Sequence, residues 1–556
     1  MTIKDMPFIR TGAGVLAVCA GSLMVAGCGR PIPPVAMRVT HVETVHGMQR
    51  SDDYFWLRER DNPKMISYLE AENRFTQATM RHTKGFQKRL YAELKGRIKE
   101  TDLSVPAKDG EYYYYTRTFE GKQYRTHCRK RGHLDAPEEV ILDQNELAKG
   151  NDYFRLGGFE ISPDHRLVAY SVDTSGSETY TLRIKDLTTG ELLPDEVLNT
   201  YYGLVWGNDN RHIFYTILDD AKRPHKALRH TLGTDASEDV VVHHETDERF
   251  HVRLGKTRSR KFILLSLNSS VTSEVHVLDA DQPTGSFRVI NPRRQDMEYS
   301  VTHQGDYFYI TTNDNATNFK VVRTPIDQPG IANWSEVISH RPDVKVDRVS
   351  AFKNHLVIYE RQAGLKKMRI RDVRNGSEHY VEFPEPVYTF FPGSNEEFDT
   401  TALRFSYTSL VTPRSVFDYD METRTRELKK QTEVLGGYDP SQYESKRIFA
   451  TASDGTKVPI SIVYKKGIVL DGQNPMMLYG YGSYGASIDP AFRSSRLTLI
   501  DRGFVFAIAH IRGSGTMGRL WYEDGKFLNK KNTFTDFIAC AEHLIEQGYT
   551  SPARLA

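Results

Sequence analysis

Three short stretches of this 556-residue chain hold side chains that could do chemistry. The first, "HHETDERFH", brings His243, His244, Glu245, Asp247 and His251 together and invites a metal ion. Its order is HExxE rather than HExxH, so two ligands would not share one helical face. It reads as a solvated loop before a β-run, and no metal is expected. The second, "GSGTMG" at 513–518, fits the GxGxxG of a dinucleotide site and follows an apolar strand. In such a site the helix starts inside the motif, whereas here Trp521, Asp524, Gly525 and three lysines intervene before helical periodicity begins. Close backbone packing accounts better for these glycines, and no cofactor is implied. The third, "YGYGSYG", offers phenols, among them Tyr481; from its residue type alone, Tyr481 reads as a core tyrosine with a bonded hydroxyl. No Gly-x-Ser-x-Gly elbow occurs anywhere, so no serine is assigned as a nucleophile.

Cysteine usage points elsewhere. Lys4 and Arg10 precede the apolar run "TGAGVLAVCAGSLMVAG", and "VAGC" places small residues before Cys28. The pattern resembles a bacterial lipoprotein signal, 1–28, cleaved before Cys28 with lipid carried on its sulfur. Gly29 rather than Asp follows, which implies a lipid-anchored protein of the cell envelope on the periplasmic face of the outer membrane. Cys128 and Cys540 remain; neither has metal or disulfide spacing, and both read as buried small hydrophobes.

A formal net charge of +2, spread evenly, gives no footprint for nucleic acid. Peptides, small molecules or proteins are the expected partners. The length calls for at least two domains. After the tether "GRPIPPVA", residues 50–100 read as helical, with Ile66, Leu69 and Phe75 near one face and Leu90, Leu94 and Ile98 on another. Then β-runs begin near Tyr112, Leu167, His212, Phe262, Tyr307, His355 and Leu403. A steady spacing of about 40–50 residues suits blades that hide their faces only against one another. Seven runs predict a seven-bladed β-propeller over 110–435. From 436 onward the order changes to strand, strand, loop, strand and helix, the start of an α/β sheet. "ESKRIFATASDGTKVPISIVYKKG" predicts a hairpin, "NPMMLYGYGSYG" a buried strand entering a glycine-rich loop, and "GFVFAIAHIRG" a fully buried strand. "NTFTDFIACAEHLIEQG" predicts a helix capped by Asn532 or Thr533, and "SPARLA" opens a further strand.

Long stretches then carry a resemblance. "HGMQRSDDYFWLRERDNP", "ISPDHRLVAYSVDTSGSETYTLRIKDLTTGE", "YGYGSYGASIDPAFRSSRLTLIDRGFVFAIAHIRGSG" and "WYEDGKFLNKKNTFTDF" are similar to the prolyl oligopeptidase family of serine peptidases, especially its oligopeptidase B branch. The resemblance implies a seven-bladed propeller capping an α/β-hydrolase domain built from an N-terminal arm (29–109) and the C-terminal part (436–556). It implies hydrolysis of short peptides after Lys or Arg. It matches Tyr481 to an oxyanion-stabilising tyrosine and Asp489 to one of two acids that bind a basic P2 residue; Ala491 stands in the second acid's place. Ser514 and Thr516 replace the family's usual Gly and Glu near the cleft.

In the family a Gly-Gly-Ser-x-Gly-Gly turn directly follows the position of "SPARLA", with the acid and histidine later still. The α/β-hydrolase domain is therefore expected to be incomplete, truncated before the nucleophile. The Ser/Asp/His triad is absent from residues 1–556, which should be inactive alone. A separately encoded C-terminal catalytic fragment is one expected partner. The alternative is a non-catalytic, lipid-anchored propeller that binds peptides.

Overall fold

The structure, a computed structural model, describes residues 31–556; Cys28 and the expected leader 1–28 lie outside the described residues. The chain divides into two compact units, with the boundary after Ala92.

The first unit opens with a hairpin, His41–Val45 against Met48–Asp52, closed by His46 and Gly47 at φ 52° and 79°. Two left-handed residues between short strands are a tight-turn signature, and the second strand overturns the helical expectation at residues 50–52. The helix Pro63–Thr79 follows, with Pro63 in its first turn and the Asn62 carboxamide oxygen accepting from Lys64 N at 3.0 Å. Its inward face is Met65, Tyr68 and Phe75, while Ile66 and Leu69 are exposed. At about 100° per residue, Phe75 lies half a turn away from Ile66, so the expected face was mis-phased. A second helix spans Lys84–Gly96 and ends before Ile98, which is exposed.

In the second unit the β-runs become seven antiparallel blades. The first occupies 102–143; the fourth to seventh are four-stranded sheets over 251–291, 299–338, 344–380 and 388–431. Blades two and three are one seven-stranded sheet, because the 15-residue strand Leu192–Trp206 pairs with Tyr180–Asp186 at one end and with His212–Leu218 at the other. The runs singled out by spacing are the second strands of each blade, such as Leu167–Asp173, Phe262–Asn268 and His355–Gln362. They are apolar because each is sandwiched between neighbouring blades, as in the continuous cluster of Val357, Tyr359, Phe390, Phe405 and Tyr407 between blades six and seven. Across the seam between first and last blades, Lys430 Nζ donates to both Asp102 carboxylate oxygens at 2.7 Å, and Glu397 accepts from Gly110 N at 2.7 Å. A central cavity of about 930 Å³ is lined by all seven blades.

"HHETDERFH" is not wholly a loop. His243 and His244 end the strand Val240–His244, drawn into the sheet by three β-branched valines, and Glu245 turns inward to Arg293. No group of three or more His, Cys, Asp or Glu side chains placed to hold a metal ion occurs among the described residues.

The C-terminal sheet has the order Tyr443–Thr451, Lys457–Lys465, Val505–Ala509, Met476–Tyr479; the last pair is parallel and the others antiparallel. Val505, Ala507 and Ala509 face the helix Lys531–Glu546 through Cys540 and Leu544, while Phe506 and Ile508 face Leu497 and Ile500 of the helix Ser494–Ile500. Both faces are covered, which is why that strand is continuously apolar. Met476–Tyr479 is not fully buried, since Met477 and Tyr479 are exposed on one face. Beside it, Ala556 N donates to Met476 O and Leu478 N to Ala556 O, both at 2.9 Å, so "ARLA" does enter a parallel register. Cys128 and Cys540 are both buried free thiols.

Candidate active-site cleft

The strand Met476–Tyr479 delivers the chain into the loop 480–489, and the strand Val505–Ala509 delivers it into "HIRGSG". Glycines let these segments touch. A Cβ on Gly513, at φ 91°, would sit 2.1 Å from Gly482 O, and one on Gly525 would sit 2.0 Å from Gly513 N. Gly485 N donates to Gly513 O at 3.0 Å and Gly515 N to Gly485 O at 2.9 Å. "GSGTMG" is thus a backbone-packing element. Ser514 and Thr516 are buried within it, with Ser514 Oγ donating to Ile511 O at 2.8 Å.

Arg512 fastens this node to the sheet. Its guanidinium meets the fully buried Asp536 carboxylate through Nε at 2.9 Å and Nη2 at 2.6 Å, its backbone N adds a third bond at 3.0 Å, and Nη1 reaches Asp454 at 2.7 Å. Thr533 does not cap its helix. Its hydroxyl donates to Arg512 O at 2.9 Å, and the helix begins at Lys531 without a side-chain cap. The expected cap failed because the hydroxyl is recruited by a buried carbonyl three segments away. Lys530 Nζ holds the same loop through Gly482 O at 2.6 Å and Ser483 Oγ at 2.7 Å.

Tyr481 stands on this platform and is not a core tyrosine. Its side chain is 46% exposed, and its hydroxyl has no hydrogen-bond partner among the described residues. A free phenol on a rigid loop can donate to a developing oxyanion.

Asp489, at the other end of the loop, is engaged by blade six. Arg361 Nη1 and Nη2 donate to its two oxygens at 2.9 and 3.1 Å, and Lys366 Nζ lies 2.7 Å from Oδ2. Partial burial would raise this carboxyl, but the two cations outweigh it and hold it at about 2. Arg361 and Lys366 are 128 and 123 residues upstream, and nothing local in the sequence marks them. They border a cavity of about 340 Å³ between blades six and seven and the Gly485–Ser487 and Gly515 loops.

One serine–histidine contact lies beneath. Ser461 Oγ and His510 Nε2 share a hydrogen bond of 2.7 Å. Both are buried, burial holds the imidazole neutral with its pKa down at about 3, and Nδ1 has no partner. With no acid on Nδ1 and no access to Oγ, this pair is structural rather than nucleophilic.

The comparisons agree with this arrangement. Residues 33–432 match the family described as "Prolyl oligopeptidase, N-terminal beta-propeller domain", and residues 490–556 match "Prolyl oligopeptidase family". The chain belongs to the prolyl oligopeptidase family. Its relatives include dipeptidyl aminopeptidase BI of Pseudoxanthomonas mexicana, 42% identical over 94% of this chain and 75% of that protein, and protease 2 of Moraxella lacunata, 39% identical over 94% and 76%. Oligopeptidase B from Trypanosoma brucei with covalently bound antipain superposes with a TM-score of 0.88 at 36% identity, covering 94% of this chain and 78% of that one. Oligopeptidase B from Leishmania major gives 0.89 at 35%, with the same coverage. This prolyl oligopeptidase family chain therefore has the propeller of its relatives and part of their peptidase domain, and the family supports a serine peptidase of the oligopeptidase B type acting on peptides.

Proposed function

We propose that residues 1–556 form the peptide-binding portion of an oligopeptidase that cleaves short peptides after Lys or Arg. The observation that carries this reading is the exposed Tyr481 phenol on a glycine-locked loop whose Gly485 and Ser487 line the cavity beside blades six and seven of a family propeller. In the complete reaction a serine attacks the scissile carbonyl, and the negative charge that develops on its oxygen needs a donor. A phenol so placed would stabilise that intermediate by about 3–4 kcal/mol in a dry site. The names of the relatives, a dipeptidyl aminopeptidase and oligopeptidases, support small peptides as substrates.

Residues 1–556 contain no nucleophile elbow, so alone they bind peptides without turning them over. The remaining strands of a family peptidase sheet would add along the Met476–Tyr479 side, where the backbone groups of 554–556 already pair. The second reading, a lipid-anchored propeller that only binds peptides, is supported by the central propeller cavity of about 930 Å³. In both readings Cys28 carries lipid and holds the protein at the periplasmic face of the outer membrane.

Anisotropy of labelled short arginyl peptides, with an arginyl-amide turnover assay and a serine-reactive phosphonate, tests the proposal. Binding without turnover or labelling is expected; absence of binding refutes it, and turnover or labelling refutes inactivity. Palmitate labelling of wild type but not of Cys28→Ala supports the anchor, and equal labelling refutes it.

A further inference from the structure

Resting on the peptide-binding reading, we propose that the subsite at Asp489 accepts a peptide carboxylate and disfavours a basic side chain. Asp489 is not free to recruit a cation, since Arg361 and Lys366 already occupy both its oxygens. A lysine or arginine of a substrate would have to displace one of them from a site where side-chain exposures are 15% for Asp489 and 9% for Arg361. Displacing a partly desolvated ion pair to form an equivalent one gains nothing and leaves a stranded cation.

The remaining charges around the cavity run the other way. Asp347 is shared by Lys345 Nζ at 2.7 Å and Arg361 Nε at 3.2 Å. Glu360 is buried and committed to Arg341 and Arg369 and to the Tyr380 hydroxyl, which donates at 2.9 Å. Every carboxylate is thus spoken for. Arg348 is exposed at the rim, lies 4.7 Å above the Tyr359 ring, and has no acidic partner among the described residues. Ser487 lines the same cavity, and its hydroxyl has no hydrogen-bond partner among the described residues. A guanidinium on an aromatic face and an unbonded hydroxyl, both lining a cavity of about 340 Å³, offer donors for a carboxylate and no uncommitted carboxylate for an ammonium.

The carboxylate could come from an acidic side chain or from a peptide C-terminus, and four labelled peptides separate the sources: Glu-Arg amide, Gln-Arg amide, Arg-Arg amide and Gln-Arg free acid. With the full chain, at least one carboxylate-bearing peptide is expected to bind about tenfold more tightly than Gln-Arg amide. The one that gains identifies the source. Arg-Arg amide is expected to bind no better than Gln-Arg amide. Arg348→Ala, a surface change, should remove the difference between carboxylate and amide peptides. Tighter binding of Arg-Arg amide, no carboxylate advantage, or an advantage surviving in R348A overturns the inference while leaving peptide binding intact. Failure of all four peptides to bind overturns the peptide-binding reading itself, and the inference with it.

Discussion

Replacing Asp536 by Asn is the sharpest test of how the cleft is held. The substitution keeps the shape of a side chain that is fully buried, but removes the charge facing Arg512 Nε and Nη2 at 2.9 and 2.6 Å and turns an amide NH₂ toward donors. Among the described residues the other carboxylate on that guanidinium is Asp454, whose side chain is 46% exposed. Stranding one member of a buried pair costs about 3–5 kcal/mol, whereas Asp454→Asn should cost less than about 1 kcal/mol. In a chain with several cooperative units a global unfolding energy is poorly defined, so hydrogen exchange followed by mass spectrometry on peptides from 505–546 is the suitable assay. Asp536→Asn should open this segment by the larger amount, with propeller peptides unaffected. Equal, small effects of the two variants would refute the view that Arg512–Asp536 fastens the loop platform.

Other substitutions follow from the same geometry. Gly513→Ala should destabilise the C-terminal segment by at least about 2 kcal/mol, because the added Cβ meets Gly482 O and the φ is left-handed; exchange of the same peptides reads it. Tyr481→Phe should leave hydrogen exchange of peptides from 476–489 within about 0.5 kcal/mol of wild type, since the ring is exposed and the hydroxyl unbonded. Asp489 has a folded pKa of about 2 against an ordinary 3.8, so its contribution of about 2 kcal/mol is present above the usual carboxylate range and is lost as pH falls through 2. The protection difference between wild type and Asp489→Asn should therefore vanish at low pH and reach its plateau by pH 6. Glu160 shows the opposite sign: its side chain lines the propeller cavity and stays accessible there, yet the surrounding protein desolvates the carboxyl and, with Glu396 adding to it, pushes its pKa up to about 7. Its ionisation destabilises the fold as pH rises through that value, so Glu160→Gln should melt higher than wild type at pH 8 and the same at pH 5.

Much of the propeller could be read from residue order because one physical constraint repeats. The second strand of blades two to seven is largely buried between neighbouring blades, so its apolar run recurs at a near-constant interval. The same constraint exposed Val505–Ala509 and the hairpin around Gly455. The helix faces of the first unit were less legible, since Ile66 and Leu69 are apolar yet exposed, and only the register of Met65, Tyr68 and Phe75 tells inside from outside. In the cleft, Tyr481 and Asp489 could be named through family resemblance, but their surroundings could not. Arg361, Lys366 and Arg348 come from blade six, and the ring closure that brings them to the loop leaves no short-range signal. Thr533 illustrates the same limit, as its hydroxyl follows a tertiary carbonyl rather than the helix terminus that local pattern assigns it.

The strand Leu192–Trp206 has a mechanical consequence. A single backbone runs through both the second and the third blade, so these two share a covalent spine and a common hydrogen-bond ladder. Sliding or hinging between them would rupture a continuous main-chain ladder, whereas neighbouring blades elsewhere in the ring meet mainly through side chains, with isolated main-chain bonds such as Val346 N to Asn318 O at 2.9 Å and Lys353 N to Phe398 O at 3.0 Å. The ring is therefore stiff on one side. Any breathing that admits a peptide is steered toward the remaining junctions, and the blade six and seven side that borders the cleft lies among them.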